Sequence, residues 1–184
     1  LFSQHTNILA ILCDVMPEKG QNALLTRILE SDLFTEYASS YFSFYLFKAM
    51  GKLDREEQFL ENLDFWHEFL DKGFTTTGET GFASHDRSDC HAWASHPAFY
   101  LLQYVCGIKP MEIGFETVRI EPHPGHLNSV SASMPHPMGR IQVEYERSHS
   151  QLKAKITLPE GLPGEWVYNG ERIPLHPGVN EIEY

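Results

Sequence analysis

Several features that would assign a class at once are scarce in this 184-residue chain. Its three cysteines, Cys13, Cys90 and Cys106, are odd in number and irregularly spaced, so no disulfide framework can be read from them. Cys13 and Cys106 fall in apolar stretches, where a thiol is expected to behave as a small hydrophobe. Basic residues are few, 14 against 25 acidic, and they form no block. The formal net charge of -11 therefore disfavours nucleic acid and anionic membrane surfaces as partners and suits a neutral or cationic ligand. No apolar run approaches the roughly 18 residues of a membrane span. No repeat or low-complexity segment is evident. The chain opens Leu1-Phe2-Ser3-Gln4, without initiator Met or leader-like pattern, and the expectation is a piece of a larger protein. What remains is ample for a core: hydrophobic residues make up 42%, enough for one globular domain or two small ones.

The period of the apolar residues changes once along the chain. Up to about residue 108 it is helical. An apolar stretch over 8–16 stops at Pro17, and Leu24, Leu25, Ile28 and Leu29 mark one face of the next helix. Residues 40–50 are so rich in aromatic and aliphatic side chains that they read as a helix buried on most sides. Asp54 and Glu57 have the spacing of a capping box for a helix running to Gly73, and Ser88 or Asp89 is placed to cap another over 92–105. Beyond residue 111 the period is two, in the segments 118–121, 140–145, 152–156 and 181–184, which predicts a small antiparallel β-sandwich with one wet face per sheet. The fold expected is α plus β in two domains: a layered helical array or part of an α/α toroid over 1–108, and the sandwich over 109–184.

Glu79 is the acid without an obvious structural task. It lies in Gly73-Phe74-Thr75-Thr76-Thr77-Gly78-Glu79-Thr80-Gly81, a loop whose glycines allow close approach of a ligand. It reads either as a solvated loop acid or as a general base or ligand anchor. His85, Asp86, Asp89, Cys90, His91 and His96 bring many donor atoms together, but not at the spacings of a standard zinc site. A Cys90 nucleophile served by His91 is disfavoured because adjacent residues rarely face each other. The run Tyr37, Tyr41, Phe42, Phe44, Tyr45 and Phe47 reads as core, with Tyr41 and Tyr45 the members whose hydroxyls suit a cleft. His123, His126, His136 and His176 read as surface turn residues.

With these residues in view, the chain resembles the C-terminal part of bacterial α-L-rhamnosidases of glycoside hydrolase family 78. Ser3-Gln4-His5-Thr6-Asn7 is similar to that family's Ser-x-His-Ala-Asn, and Ser40-Tyr41-Phe42-Ser43-Phe44-Tyr45 to its Pro-Tyr-Phe-Ser-Phe-Tyr. The Glu79 loop resembles Gly-Ala-Thr-Thr-x-Trp-Glu-x-Trp, and Ser88-Asp89-Cys90-His91-Ala92-Trp93 resembles Ser-x-Cys-His-Ala-Trp. Gly107-Ile108-Lys109-Pro110 with Gly114-Phe115 matches its crossing into a C-terminal β-domain.

The resemblance implies that residues 1–108 are the last helices of an (α/α)6 six-hairpin barrel and 109–184 a β-sandwich domain. It implies an inverting glycosidase with a carbohydrate substrate, Glu79 as general base, and His91 and Trp93 lining the sugar subsite beside Tyr41 and Tyr45. Neither metal nor cofactor is expected for the acid–base chemistry. Gly78 and Gly81 stand where the family pattern has tryptophans, which keeps open a non-catalytic carbohydrate-binding remnant; a metal-dependent hydrolase is the third reading. The general acid would lie upstream of this chain, so the isolated chain is expected to be inactive. Bare helix faces around Leu9, Leu12 and Leu24 are expected to cause self-association.

Overall fold

The structure, a computed structural model, describes residues 3–31, 34, 37–82, 85, 87–148 and 151–183. It divides into two units, Leu1–Phe99 and Tyr100–Tyr184. Among the described residues no helix is long and apolar enough to cross a membrane.

In the first unit, α1 (Gln4–Leu12) opens at Ser3, whose Oγ accepts from the His5 N–H at 3.2 Å, the exchange expected of an N-cap. Gln4 is buried, and its amide donates to Ile28 O at 3.0 Å while accepting from Ala38 N–H at 2.8 Å. One side chain thus ties α1 both to α2 (Glu18–Glu30) and to the segment leading into α3 (Ser43–Lys52). At the other end of α1, Lys52 Nζ donates to Ile11 O at 2.8 Å and pairs with Asp14 at 2.7 Å, a cation at a helix C-terminus. Hydrogen bonds from Lys52 and then Gln21 lower the Asp14 pKa. Cys13, in the apolar stretch, is exposed because it follows the last turn of α1 and faces away from the core.

Two helices expected from periodicity are broken. Asp54 does not cap one: it has φ 53° and belongs to the end of α3, where the Leu53 and Arg55 N–H groups both return to Met50 O. Aspartate tolerates this left-handed position better than most residues. Glu57 meets Arg55 at 3.6 Å instead of completing a capping box. Short 3-10 turns at Glu56–Gln58 and Leu60–Asn62 follow, the second ending where the Asn62 amide bonds back to Gln58 O, and α4 begins only at Asp64 (Asp64–Asp71). The expected helix over 92–105 is likewise a 3-10 turn (Ala92–Ser95), α5 (Pro97–Tyr100) and a π-turn (Leu101–Val105). Pro97 has no N–H to extend a ladder from before it, but suits a first helical position. Neither Ser88 nor Asp89 caps this segment. His91 precedes it without a side-chain cap bond, and the Asp89 carboxylate is held by Arg87 at 2.8 Å.

The second unit has two four-stranded sheets. One runs β1 (Ile108–Pro110), β2 (Val118–Ile120), β6 (Gly164–Tyr168), β7 (Glu171–Leu175). The other runs β3 (Ser129–His136), β4 (Gly139–Ser148), β5 (Gln151–Leu158), β8 (Gly178–Glu183). All neighbours are antiparallel except β2 and β6, which pair in parallel. Their contact is close: a Cβ at Gly164 would lie 2.5 Å from Val118 O. Ile141, Val143 and Tyr145 of β4 and Leu152, Ala154, Ile156 and Leu158 of β5 enter one core with Val118, Ile120, Leu162 and Trp166. A one-residue slip would turn each such row to water, at roughly 1.5–3 kcal/mol for each large side chain, so register is strongly specified. The outer face carries a charge ladder, Glu144–Lys155–Glu181 and Glu146–Lys153–Glu183 across three strands. Of the four histidines read as turn residues, His126 and His176 are exposed, whereas His136 donates from Nε2 to Phe115 O and accepts the Met138 N–H at Nδ1.

Candidate functional site

Glu79 is held by its own backbone before its side chain is considered. Its loop runs beside residues 88–91 in an irregular ladder: Glu79 N–H donates to Ser88 O at 2.9 Å and His91 N–H to Thr77 O at 2.8 Å. Two threonine hydroxyls extend the ladder, Thr76 Oγ1 to Asp89 O at 2.6 Å and Thr77 Oγ1 to His91 O at 3.1 Å. On the opposite edge lies the entry to α3. Ser40 Oγ donates to Gly78 O at 2.6 Å, and Tyr41 N–H donates to Glu79 O at 3.3 Å. The half-buried carboxylate is oriented through Oε2, which accepts the Ser88 N–H at 3.3 Å.

Beneath the loop is an aromatic floor. Phe69 of α4 lies 6.1 Å from Phe74 and 5.3 Å from Phe82, and Phe82 has the Lys72 ammonium 3.8 Å and the Arg87 guanidinium 4.5 Å from its centroid. The two loop glycines rest on α4. A Cβ at Gly78 would come within 2.9 Å of Phe69, and one at Gly81 within 3.0 Å of Phe65. Side chains at 78 and 81 would therefore point into occupied space in this chain.

The sequence-derived site residues converge. Tyr41 meets Glu79 through its backbone, and its ring lies 5.4 Å from His91 and 5.9 Å from Trp93. Tyr45 reaches Trp93 at 6.1 Å, and Trp93 is 49% exposed, so an aromatic surface beside the Glu79 loop is open to solvent. The aromatic run is less completely core than its composition implied. Phe47 is fully buried, Tyr37 is exposed, and Tyr41, Phe42, Phe44 and Tyr45 are half-buried in contact with one another or with Trp93.

The donor atoms of the neighbouring cluster are dispersed. His85 and Cys90 are exposed, Asp89 pairs with Arg87, and Asp86 lies outside the described residues. Among the described residues no group of three His, Cys, Asp or Glu side chains is placed to hold a metal. His96 is buried among Phe44, Phe47 and Trp66, and its Nε2 donates to Ser40 O at 3.0 Å. Burial lowers its pKa to about 4, so the ring is neutral. The part that Ser40, Thr77, Ser88 and His96 play in holding the Glu79 loop was not read from the sequence, in which Ser88 was a candidate cap and His96 a member of the donor cluster. Only the buried polar pair Ser40 and His96 had a signal, each being a polar residue within an aromatic-rich stretch.

Residues 107–180 match the family model of the bacterial alpha-L-rhamnosidase C-terminal domain. No curated protein matches the chain. Among solved structures, the GH78 family rhamnosidase of Bacillus sp. GL1 is 27% identical with TM-score 0.82, over 91% of this chain and 19% of that one. The α-L-rhamnosidase of Aspergillus terreus superposes with TM-score 0.85 at 18% identity, over 98% of this chain and 24% of that one. That of Streptomyces avermitilis, solved with L-rhamnose, gives 0.78 at 18% identity, over 98% and 21%. At 18% identity the last two speak for the fold alone. The chain spans about a quarter or less of the length of these structures. The chain is thus similar in structure to α-L-rhamnosidases over nearly its whole length, and residues 107–180 match the model of the bacterial enzymes' C-terminal domain.

Proposed function

We propose that this chain is the C-terminal portion of an inverting glycoside hydrolase that removes terminal α-L-rhamnose, with Glu79 as the general base. The observation that carries the reading is the convergence on Glu79. Its carboxylate is oriented by the Ser88 N–H, its peptide is fixed on both edges, and Tyr41, His91 and Trp93 lie beside its loop. An aromatic face suits the apolar side of a 6-deoxy sugar, and a positioned carboxylate can take a proton from water as that water attacks the anomeric carbon. Trp93 and Tyr45 supply stacking area, and His91 a hydrogen bond to a ring hydroxyl.

Inversion needs a second carboxyl group, a general acid on the opposite face of the sugar and roughly 6.5–9.5 Å away. The reading assigns that acid to a segment outside these 184 residues, so the chain alone is inactive. Residues 1–108 are the last helices of an (α/α)6 barrel in this reading, and 109–184 a β-sandwich domain. Self-association through the face around Leu9, 41% exposed, with Leu12 and Leu24 belongs to the same proposal; sedimentation as a monomer at every concentration would remove it.

The test is hydrolysis of an aryl α-L-rhamnoside by the full-length parent and by its Glu79→Gln form. A turnover loss of about a hundredfold or more is expected, with the β-anomer of rhamnose appearing first in the wild-type reaction by NMR. Equal rates would make Glu79 a bystander. A second reading, a carbohydrate-binding remnant without chemistry, is favoured by Gly78 and Gly81, which stand where the resembled pattern has tryptophans and so remove two apolar walls from the Glu79 loop. It predicts saturable rhamnose binding and no hydrolysis by the parent.

A further inference from the structure

We infer that Ser40 is a positioning residue for Glu79: its hydroxyl, on a backbone whose carbonyl is held by His96, is a strut that holds the Gly78–Glu79 peptide at the height the carboxylate needs. The inference rests on the reading of Glu79 as the base. It adds a residue with no contact to substrate.

Three consecutive loop residues are tied down, each differently. Thr77 exchanges two hydrogen bonds with His91, and Glu79 is held by Tyr41 and Ser88 through backbone groups. Gly78, between them, is buried, and its carbonyl accepts from Ser40 Oγ at 2.6 Å. That bond is short and its donor is fully buried, so no water can take the place of the hydroxyl without a rearrangement. The next pair along, Tyr41 N–H to Glu79 O, continues the same edge at a looser 3.3 Å. The dipeptide Ser40-Tyr41 thus holds the dipeptide Gly78-Glu79, carbonyl by carbonyl.

The strut is itself supported. His96 Nε2 donates to Ser40 O at 3.0 Å; a carbonyl can only accept, so this nitrogen carries the proton. Three rings enclose the imidazole, with Phe44, Phe47 and Trp66 centroids 5.7, 5.4 and 5.2 Å away, and Trp66 is tethered by Nε1 to Ala94 O at 2.7 Å. On the far side, Gly78 has no slack, because even a Cβ there would strike Phe69 at 2.9 Å. The loop therefore sits between the Phe69 ring and the Ser40 hydroxyl. Removing the hydroxyl frees one side only, and Gly78 O moves to find a new donor. Glu79, one residue on, moves with it. Displacements near 1 Å at a reacting group can cost a hundredfold in rate, so a partial shift costs roughly tenfold.

The test is a double-mutant cycle in the full-length parent with an aryl α-L-rhamnoside as probe: wild type, Ser40→Ala, Glu79→Gln and both together. The expected result is a kcat loss of roughly tenfold for Ser40→Ala with KM within about twofold, since the aromatic face is untouched. In the Glu79→Gln background the same substitution should cost almost nothing, because the strut acts only through that carboxylate. A purely structural serine would instead lower activity equally in both backgrounds, which overturns the inference. If Glu79→Gln is as active as wild type, the base reading and the strut fall together; if Glu79→Gln is impaired but the cycle is additive, only the strut falls. Should Ser40→Ala not fold, Ser40→Cys, close in size and a weak donor, carries the same cycle.

Discussion

Replacing Gly78 by alanine places a methyl group where the structure has none to spare. The added Cβ would lie 2.9 Å from both Cε1 and Cζ of Phe69, well inside the 3.5–4.0 Å of favourable carbon contacts. Phe69 is 3% exposed, is carried by α4 and packs on Phe74 and Phe82, so its ring has little freedom to withdraw. Overpacking of this kind costs about 1–3 kcal/mol. The clash involves the tip of one ring, so it can be isolated. Phe69→Leu removes the offending atoms and by itself loses packing worth about 1–3 kcal/mol. If contact with the ring is the cause, the double substitution should be more stable than the sum of the two losses by about 1 kcal/mol or more. The assay is urea unfolding of the four proteins followed by tryptophan fluorescence, with midpoints compared at constant slope. A Gly78→Ala protein within about 0.5 kcal/mol of wild type, or an additive cycle, would refute the reasoning.

Two further outcomes follow from single residues. Gly107 has φ 73°, and a Cβ there would stand 2.3 Å from the carbonyl carbon of Glu121, so Gly107→Ala meets both backbone strain and immovable backbone; a stability loss of about 3 kcal/mol or more is expected in urea unfolding, and less than about 1 would refute it. His96, with its pKa lowered by burial from 6.5 to about 4, is held neutral in the folded state, so as pH falls the unfolded chain takes up this proton first. That contribution to stability is complete above about pH 6.5 and is lost as pH falls toward 4, by about 3 kcal/mol at most. His96→Gln should therefore show a shallower fall of the unfolding midpoint between those pH values than wild type, and parallel curves would refute the assignment.

Much of the fold was legible because it rests on local periodicity. In β4 and β5 the alternation of Ile141, Val143, Tyr145 and of Leu152, Ala154, Ile156 with polar neighbours could serve only strands with one buried face, and those strands are present. β3 and β6 were less visible: Ser129–His136 alternates small polar with small apolar residues, and Gly164–Tyr168 keeps two adjacent residues buried. Helix boundaries failed where one residue outweighed the pattern, as when Asp54 took a left-handed conformation and Pro97 interrupted the amide ladder. Both are effects of single backbone positions, to which an average over a window is blind.

The candidate site divides along the same line. Sequence by itself determined which residue types lie in the loop, that Glu79 has no cap or helix face to serve, and that Tyr41, Tyr45, His91 and Trp93 belong to segments with chemistry to offer. Tertiary structure alone decided how these segments meet. Ser40 and Gly78 are 38 residues apart and Ser40 and His96 56 apart, so neither bond leaves any trace in local spacing. The reason is physical: a buried carbonyl demands a donor, but any nearby hydroxyl satisfies it, and only the packing of α3 against the loop selects which one.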